Sequence, residues 1–169
     1  MRCFMVGVLG VGGVGKTTYI YRLVGVPIQP KTTLRPGMYR TTIRETPVCI
    51  LDVPGHRAIE VADALARAWP YYLDLAIYMY DVTDAYTLQS LLDIEQHLRS
   101  KVVKPYCGCV VVGNKVDLAK ERHTFITAED VAEAPGALGV FYISALKDPY
   151  DKLIQPLKTS LEERHARCS

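Results

Sequence analysis

Five short runs of apolar residues, separated by longer stretches with helical periodicity, restrict the folds open to this chain of 169 residues. The runs are rich in β-branched and aromatic side chains, and apolar residues stand at nearly every position. Strands of this kind are typical of parallel sheets whose two faces are both covered by helices. The alternation of strands and helices therefore predicts one three-layer α/β domain over residues 1–169, with strands at Cys3–Leu9, Val48–Asp52, Leu75–Tyr80, Cys109–Val112 and Val140–Ile143.

An additional strand is predicted over Met38–Glu45. Only Thr46 and Pro47 separate it from Val48–Asp52, so the two strands are expected to form a hairpin through those two residues. The preceding segment, Gly25–Gly37, is rich in Pro, Thr and Gly and contains no clear helix or strand pattern. Long loops in compact domains are usually functional, so we expect this one to carry part of a site.

Helical periodicity marks three further segments. Leucines at helical spacing over Leu88–Leu98 predict an amphipathic helix capped by Asp84. A near capping box at Thr127 predicts a short helix after it. The last apolar pattern, Tyr150–Leu161, contains Pro156, which predicts a kink or a later helix start at that point.

The charge balance excludes several classes of partner. Twenty Lys and Arg against eighteen Asp and Glu give a net charge of +2, and no block of basic residues is present. The longest wholly apolar run, Leu75–Tyr80, has six residues, whereas a membrane-spanning helix needs about 20. No secretory signal or lipidation pattern is found either. We therefore expect no nucleic-acid partner and no direct membrane anchor.

The cysteines predict a compartment. There are five, an odd number, and they are scattered along the chain. This pattern favours free thiols in a reducing compartment and hence a cytoplasmic protein. Cys107 and Cys109 suggest a metal site as an alternative, but a zinc site needs about four ligands and no second pair follows. We interpret these two cysteines as strand residues rather than metal ligands or a disulfide.

A glycine-rich segment follows the first apolar run directly. Residues 10–17, with the sequence GVGGVGKT, match the full phosphate-binding loop pattern. The glycines allow successive N–H groups to turn toward one anion, and the helix that follows adds its N-terminal dipole. Lys16 supplies a positive charge for the outer phosphates, and the Thr17 hydroxyl is placed to bind Mg²⁺. The predicted phosphate-binding residues are Gly10, Gly12, Gly13, Val14, Gly15, Lys16, Thr17 and Thr18.

Two polar segments at later strand ends predict a purine site. Asn114, the single asparagine of the chain, begins the segment Asn114-Lys115-Val116-Asp117. The Asp117 carboxylate can accept hydrogen bonds from the ring N–H and the exocyclic amine of guanine, whereas adenine offers no such donors. Matched polar pairs of this kind discriminate by about 10⁴ or more. A backbone N–H in the later segment Ser144-Ala145-Leu146-Lys147 is expected to bind the guanine oxygen.

Taken together, these motifs resemble those of Ras-like small GTPases of the P-loop superfamily, over essentially the whole chain. The motifs follow the family order, and Tyr80-Asp81-Val82-Thr83-Asp84 is also similar to Rab and Ras members. The resemblance implies a six-stranded, mostly parallel sheet with one antiparallel edge strand and about five helices. It also implies Mg²⁺ as cofactor, GTP and GDP as ligands, and GTPase-activating, nucleotide-exchange and effector proteins as partners.

The resemblance assigns roles to residues between these motifs. Asp52 would hold Mg²⁺ through water, and the Gly55 N–H would sense the γ-phosphate. Thr33 is the best match to the threonine of the first switch, which completes Mg²⁺ coordination in the GTP state. Thr32 is the alternative, since this sequence lacks the Pro-Thr-Ile-Gly wording of many Rabs and Arfs.

His56 is the main departure from the family pattern. Ras, Rab and Arf members usually carry glutamine after the Asp-x-x-Gly motif, where it orients the attacking water. Here His56 follows Gly55, as in translation factors such as elongation factor Tu and in the β subunit of the signal recognition particle receptor. Imidazole can orient water through one nitrogen. We therefore predict that His56, Lys16 and Thr33 are catalytic, with a solvated switch residue as the alternative for His56.

The predicted function is a switch that hydrolyses GTP slowly to GDP and phosphate. Arg35 and Arg57 lie in or beside the switches, but solvated or partner-facing roles are favoured over catalysis for both. One alternative is a module that binds GTP or GDP without meaningful hydrolysis. The other is an adenine-specific P-loop ATPase or kinase, which the phosphate loop by itself would permit.

Overall fold

A six-stranded sheet forms the centre of the molecule in a computed structural model that describes residues 2–27, 37–55, 60, 73–100, 108–129 and 137–168. The spatial order is β2-β3-β1-β4-β5-β6. The β2–β3 pair is antiparallel and the other four pairs are parallel, so β2 is an antiparallel edge strand. This confirms the predicted α/β architecture. The strands are β1 (Phe4–Leu9), β2 (Gly37–Ile43), β3 (Thr46–Asp52), β4 (Leu75–Asp81), β5 (Cys109–Asn114) and β6 (Ala137–Tyr142).

Five helices fall within the described ranges. Two match predictions directly. Asp84 caps the second helix by accepting a hydrogen bond from the Tyr86 N–H at 3.0 Å. The predicted C-terminal helix over Tyr150–Leu161 is interrupted at Ile154, two residues before Pro156. The short third helix was not predicted, and most of the segment after Thr127 lies outside the described residues. The helices are α1 (Lys16–Val24), α2 (Ala85–Ser100), α3 (Val116–Arg122), α4 (Tyr150–Leu153) and α5 (Gln155–Cys168).

The predicted position of the β2–β3 turn is wrong. The turn is formed by Arg44 and Glu45, both in the left-handed region with φ of 47° and 66°. Two consecutive residues at positive φ are typical of a tight hairpin whose twist matches that of its strands. Pro47 instead lies inside β3, opposite Thr42, before the point where β3 begins to pair with β1. At that end of β3 a missing N–H interrupts no bond to β1.

Two apolar layers cover the two faces of the sheet. One layer contains side chains of α1, α4 and α5, which pack on alternate residues of the central strands, such as Val6 and Val8. The other contains Leu91 and Ile94 of α2, which pack on the opposite face with residues such as Tyr78. All seven residues of β4 and all six of β5 are buried. Burial of both faces explains why these strands are apolar throughout.

The prediction of free thiols is wrong for Cys3 and Cys49, which form a disulfide bond. The two residues are 46 positions apart in sequence, but Met5 on β1 pairs with Cys49 on β3, so the fold brings the Cα atoms of Cys3 and Cys49 to 5.9 Å. An odd total cannot reveal such a pair, because it depends on strand register. Cys109 is a buried thiol in β5, as its placement in a strand predicts, and Cys107 lies outside the described residues.

Within the described part of the chain, the helices are too short or too polar to traverse a lipid bilayer.

Candidate functional site

The carboxyl ends of the parallel strands bring the predicted site residues to one edge of the sheet. Asp52 of β3 is in register with Val8 of β1, and Asp81 of β4 with Asn114 of β5. The chain leaves β1 toward β2 and β3 on one side and later returns to β4 on the other. A reversal of this kind opens a crevice outside the carboxyl ends of the strands, where ligands of open α/β sheets bind.

The phosphate loop, defined here as residues 10–17, connects β1 to α1. Gly13 and Gly15 have φ of 82° and 100°, a conformation that residues with a side chain rarely adopt. The Lys16 ammonium donates hydrogen bonds to the Gly10 and Val11 carbonyls, each at 2.9 Å. These bonds fold the lysine back over the phosphate loop.

Burial changes the acidity of Lys16. The residue is only 6% exposed, and this burial lowers its pKa from 10.5 to about 8, although attraction to Asp52 opposes the shift. A buried cation without a full complement of negative charge is costly. Phosphate oxygens beside Lys16 would offset this cost.

The Thr17 hydroxyl donates a hydrogen bond to the Asp52 carboxylate at 2.7 Å. Asp52 is 1% exposed and ends β3, while Thr17 lies in the first turn of α1. Hydroxyl and carboxylate oxygens are ligands that suit Mg²⁺, usually beside phosphate oxygens and water. The chemistry of this pair of residues therefore fits the predicted metal site.

Gly55 lies directly against the phosphate loop. A Cβ atom added to Gly55 would collide with the Gly12 nitrogen and the Val11 carbonyl carbon. A residue with a side chain therefore cannot occupy this position without moving one of the two backbones.

Asn114 joins the two halves of the site. Its side-chain N–H₂ donates to the Val14 carbonyl at 2.8 Å, and its oxygen accepts from the Ala145 N–H at 2.8 Å. A Cβ atom at Gly15 would collide with the same amide nitrogen. The buried Asn114 amide thus fixes the phosphate loop relative to the segment after β6.

Lys115 makes a second connection between the halves. Its ammonium donates to the Gly13 carbonyl at 2.6 Å and pairs with the Asp81 carboxylate at 3.0 Å. The other Asp81 oxygen accepts from the Thr83 N–H at 2.8 Å and from its hydroxyl at 2.6 Å. Burial alone would raise the pKa of Asp81, but these hydrogen bonds and Lys115 outweigh it and lower the pKa. Asp81 therefore stays charged.

Asp117 lies in the first turn of α3, and its side chain is 15% exposed. The Lys147 ammonium is 3.9 Å from its carboxylate, and the Lys147 side chain is 65% exposed. An ion pair at this distance with one exposed partner contributes little energy. The Asp117 carboxylate consequently remains available to a ligand.

The base loop, defined as residues Ser144–Asp148, follows β6. The Asp148 carboxylate accepts from the Ser144 N–H at 2.8 Å, and the Ser144 hydroxyl accepts from the Lys147 N–H at 3.1 Å. The Ala145 N–H is already used by Asn114. In the described part of the molecule the Leu146 N–H has no hydrogen-bond acceptor, so it is the loop amide that can serve a ligand.

Several predicted residues fall outside the described residues: Thr32, Thr33, Arg35, His56 and Arg57. The remaining predicted residues lie on the phosphate loop, at or shortly after the strand ends, in the first turns of α1 and α3, or on the base loop. Sequence reasoning missed two contributors. The sequence could have indicated Asp81, since it is a polar residue at the end of an apolar strand. It could not have indicated Arg22, because the contacts of Arg22 join segments more than 120 positions apart.

Comparisons with known proteins agree with this geometry. A family model described as the Ras family matches residues 5–154. Ras-related protein Rab-21 of Mus musculus and of Bos taurus is 34% identical to the chain over 143 residues, which is 79% of this chain and 62% of each relative. Rab-21 of Homo sapiens is also 34% identical, over 61% of its length. The chain therefore spans about 62% of the length of the curated relatives it matches.

Proposed function

The chain belongs to the Ras family, and from this premise we propose that it is a guanine-nucleotide switch that hydrolyses GTP to GDP and phosphate. One observation carries the proposal: the buried Asn114 amide joins the phosphate loop to the base loop. This contact supports the proposal that the phosphate-binding and purine-binding elements form one pocket. The Asp117 carboxylate, which Lys147 approaches only to 3.9 Å, supports guanine as the base.

The residues of the phosphate loop would neutralise the triphosphate. Lys16 and the loop amides face the oxygens on which charge develops, and such positioning and charge neutralisation account for most of the catalysis of phosphoryl transfer. Thr17, Asp52 and Thr33 would hold Mg²⁺, which when bound supplies further positive charge to the outer phosphate oxygens. Burial lowers the pKa of Lys16 to about 8. Bound phosphate would raise this pKa and so keep the ammonium charged.

We further propose that His56 orients the attacking water. The support is its place in the sequence, directly after Gly55, whose backbone lies against Gly12 of the phosphate loop. The same contact would let the Gly55 N–H report the presence of a γ-phosphate to the segment that follows. Segments ordered by the γ-phosphate and released on hydrolysis are a common output of nucleotide switches.

The partners proposed are GTPase-activating, nucleotide-exchange and effector proteins. An arginine supplied by an activating partner can raise the rate by about 10³ to 10⁵. A cytoplasmic location stays a prediction, and the Cys3–Cys49 bond removes the argument that all five thiols are free. The single domain over residues 1–169 is likewise still a prediction.

Phosphate release under single-turnover conditions tests the hydrolysis proposal. The wild type is expected to release phosphate slowly, and His56→Ala to release it at least tenfold more slowly. The control is His123→Asn, which changes another histidine, at the C-terminal end of α3, to a residue that tolerates its positive φ of 49°. No release from the wild type would favour a module that binds the nucleotide without hydrolysis. Tight ATP binding would favour the adenine-specific alternative.

A further inference from the structure

Arg22 of α1 holds the base loop by its backbone. One guanidinium nitrogen donates to the Ala145 and Leu146 carbonyls, each at 2.9 Å, and another donates to the Asp148 carbonyl at 2.6 Å. Arginine presents its donors in a rigid planar fork, and hydrogen bonds from a charged donor are about twice as strong as neutral ones. Three of the five base-loop carbonyls are therefore fixed by a single side chain.

The peptide between Ala145 and Leu146 is the part of the base loop that Arg22 orients most directly. The described chain has no cis peptide bond, so the Ala145 carbonyl and the Leu146 N–H point in opposite directions. Holding the carbonyl at Arg22 directs the N–H away from α1. This is the base-loop amide with no acceptor in the described part of the molecule, whereas the Ala145 and Lys147 amides are already used.

The same helix begins at the phosphate site. Lys16 and Thr17 occupy the first turn of α1, and Arg22 lies near its C-terminal end. The Tyr19 hydroxyl donates to the Leu153 carbonyl at 2.7 Å, which fixes α1 to α4 beyond the base loop. One rigid helix therefore carries the phosphate-binding side chains and the side chain that orients the base loop.

We propose that Arg22 is a positioning residue for purine recognition, which orients the Leu146 N–H to donate a hydrogen bond to the O6 atom of guanine. The proposal rests on the guanine-nucleotide function proposed above and deepens it. Arg22 itself does not contact the nucleotide in this account. Its effect should therefore appear in the recognition of O6 and leave the recognition of the 2-amino group by Asp117 unchanged.

Calorimetric binding of GDP, 6-thio-GDP and IDP separates these two contacts. The first analogue replaces O6 with sulfur, a weaker acceptor, and the second lacks the 2-amino group but keeps O6. In Arg22→Met we expect GDP affinity to fall about tenfold, the loss of roughly one hydrogen bond between the Leu146 N–H and O6. The preference for GDP over 6-thio-GDP should fall toward one, and the preference for GDP over IDP should stay at the wild-type value.

Two matched variants complete the experiment. Arg22→Lys keeps a charged donor without the fork and should give intermediate ratios, and it provides the test if Arg22→Met does not fold. Arg40→Met removes an exposed arginine of β2 and should bind all three nucleotides as the wild type does. An equal loss for GDP and 6-thio-GDP in Arg22→Met, or no loss, would overturn the proposal. A wild type that binds no guanine nucleotide would instead refute the proposed function itself.

Discussion

The phosphate side and the base side of the site are built in different ways. The phosphate side is one continuous segment, residues 10–17, completed by Asp52, and its shape follows from glycine conformations and from the start of α1. The base side is assembled from the ends of β4 and β5, the base loop after β6 and Arg22 of α1. Its geometry depends on side-chain hydrogen bonds between segments that are far apart in sequence. A contiguous motif can therefore be recognised in the sequence, whereas a network of hydrogen bonds between distant segments cannot.

The largest expected effect concerns the contact between the two sides. Gly15→Ala would place a Cβ atom against the Asn114 amide, at a residue with φ of 100°. The left-handed conformation costs an alanine about 1–2 kcal/mol, and displacing Asn114 loses two hydrogen bonds of about 1 kcal/mol each. The strain lowers stability, whereas the two lost bonds should lower GDP affinity, measured by calorimetry, by roughly thirtyfold.

Gly25→Ala is the matched control for this change. Gly25 has a similar φ of 77° at the C-terminal end of α1, but a Cβ atom there would meet nothing within 4 Å. This variant should lose about 1–2 kcal/mol of stability from strain and keep its GDP affinity. If both variants bound GDP equally well, the two sides would not be joined through Asn114.

A smaller effect is expected on the base side alone. Asp81→Asn keeps the shape of the side chain and an oxygen for Thr83, but it removes the charge that pairs with Lys115 at 3.0 Å. We expect GDP to dissociate about tenfold faster, because the charge-assisted bond between Lys115 and the buried Asp81 carboxylate is lost. Stopped-flow release of a fluorescent GDP analogue measures this rate.

The control is Asp84→Asn on the neighbouring turn, where an exposed side chain caps α2. Asparagine is about as good an N-cap as aspartate, so this variant should release GDP at the wild-type rate. Faster release from Asp84→Asn as well would mean that the turn as a whole, rather than the Asp81–Lys115 pair, holds the nucleotide.

The smallest expected effect concerns the phosphate side and its pH dependence. The Lys16 pKa of about 8 lies below its ordinary value of 10.5, and phosphate oxygens would raise it again. GDP binding at pH 8.5 should therefore take up more than half a proton, and affinity should decline as pH rises through about 8. In the free protein the unfolded state binds more protons between about 8 and 10.5, so stability should rise with pH over that interval.

Calorimetry at pH 8.5 in two buffers of different ionisation enthalpy measures the proton uptake. Lys120→Met, which removes an exposed lysine of α3, should show the same uptake as the wild type. Binding without proton exchange in the wild type would contradict the assignment of Lys16 as a buried and partly deprotonated cation.

The contrast between the two sides explains what the sequence could predict. Apolar periodicity was enough for the strands and the α/β class, and the glycine pattern was enough to place Lys16 and Thr17. The six-stranded sheet with one antiparallel edge strand was predicted from the resemblance to small GTPases. The position of the β2–β3 turn was predicted wrongly because Arg44 and Glu45, which have positive φ, are neither glycine nor asparagine, the residues that usually indicate this conformation. The Cys3–Cys49 bond depends on the register of β1 and β3, which no local pattern specifies.

The same reasoning applies to the base side. Asn114 and Asp117 were predicted because they stand together after a strand. The bonds of Arg22 to the base loop were not, because they exist only once α1 and β6 are both placed on the sheet. Residues whose role lies in orienting other residues leave little trace in a single sequence.

We propose that one pocket binds the phosphates with the loop of residues 10–17 and selects guanine with Asp117. Calorimetry of GDP and ADP binding to the wild type, with magnesium present, tests it most directly. We expect GDP to bind about 10⁴-fold more tightly or better, because adenine would leave the Asp117 carboxylate unpaired. Equal affinity for the two nucleotides would contradict the account.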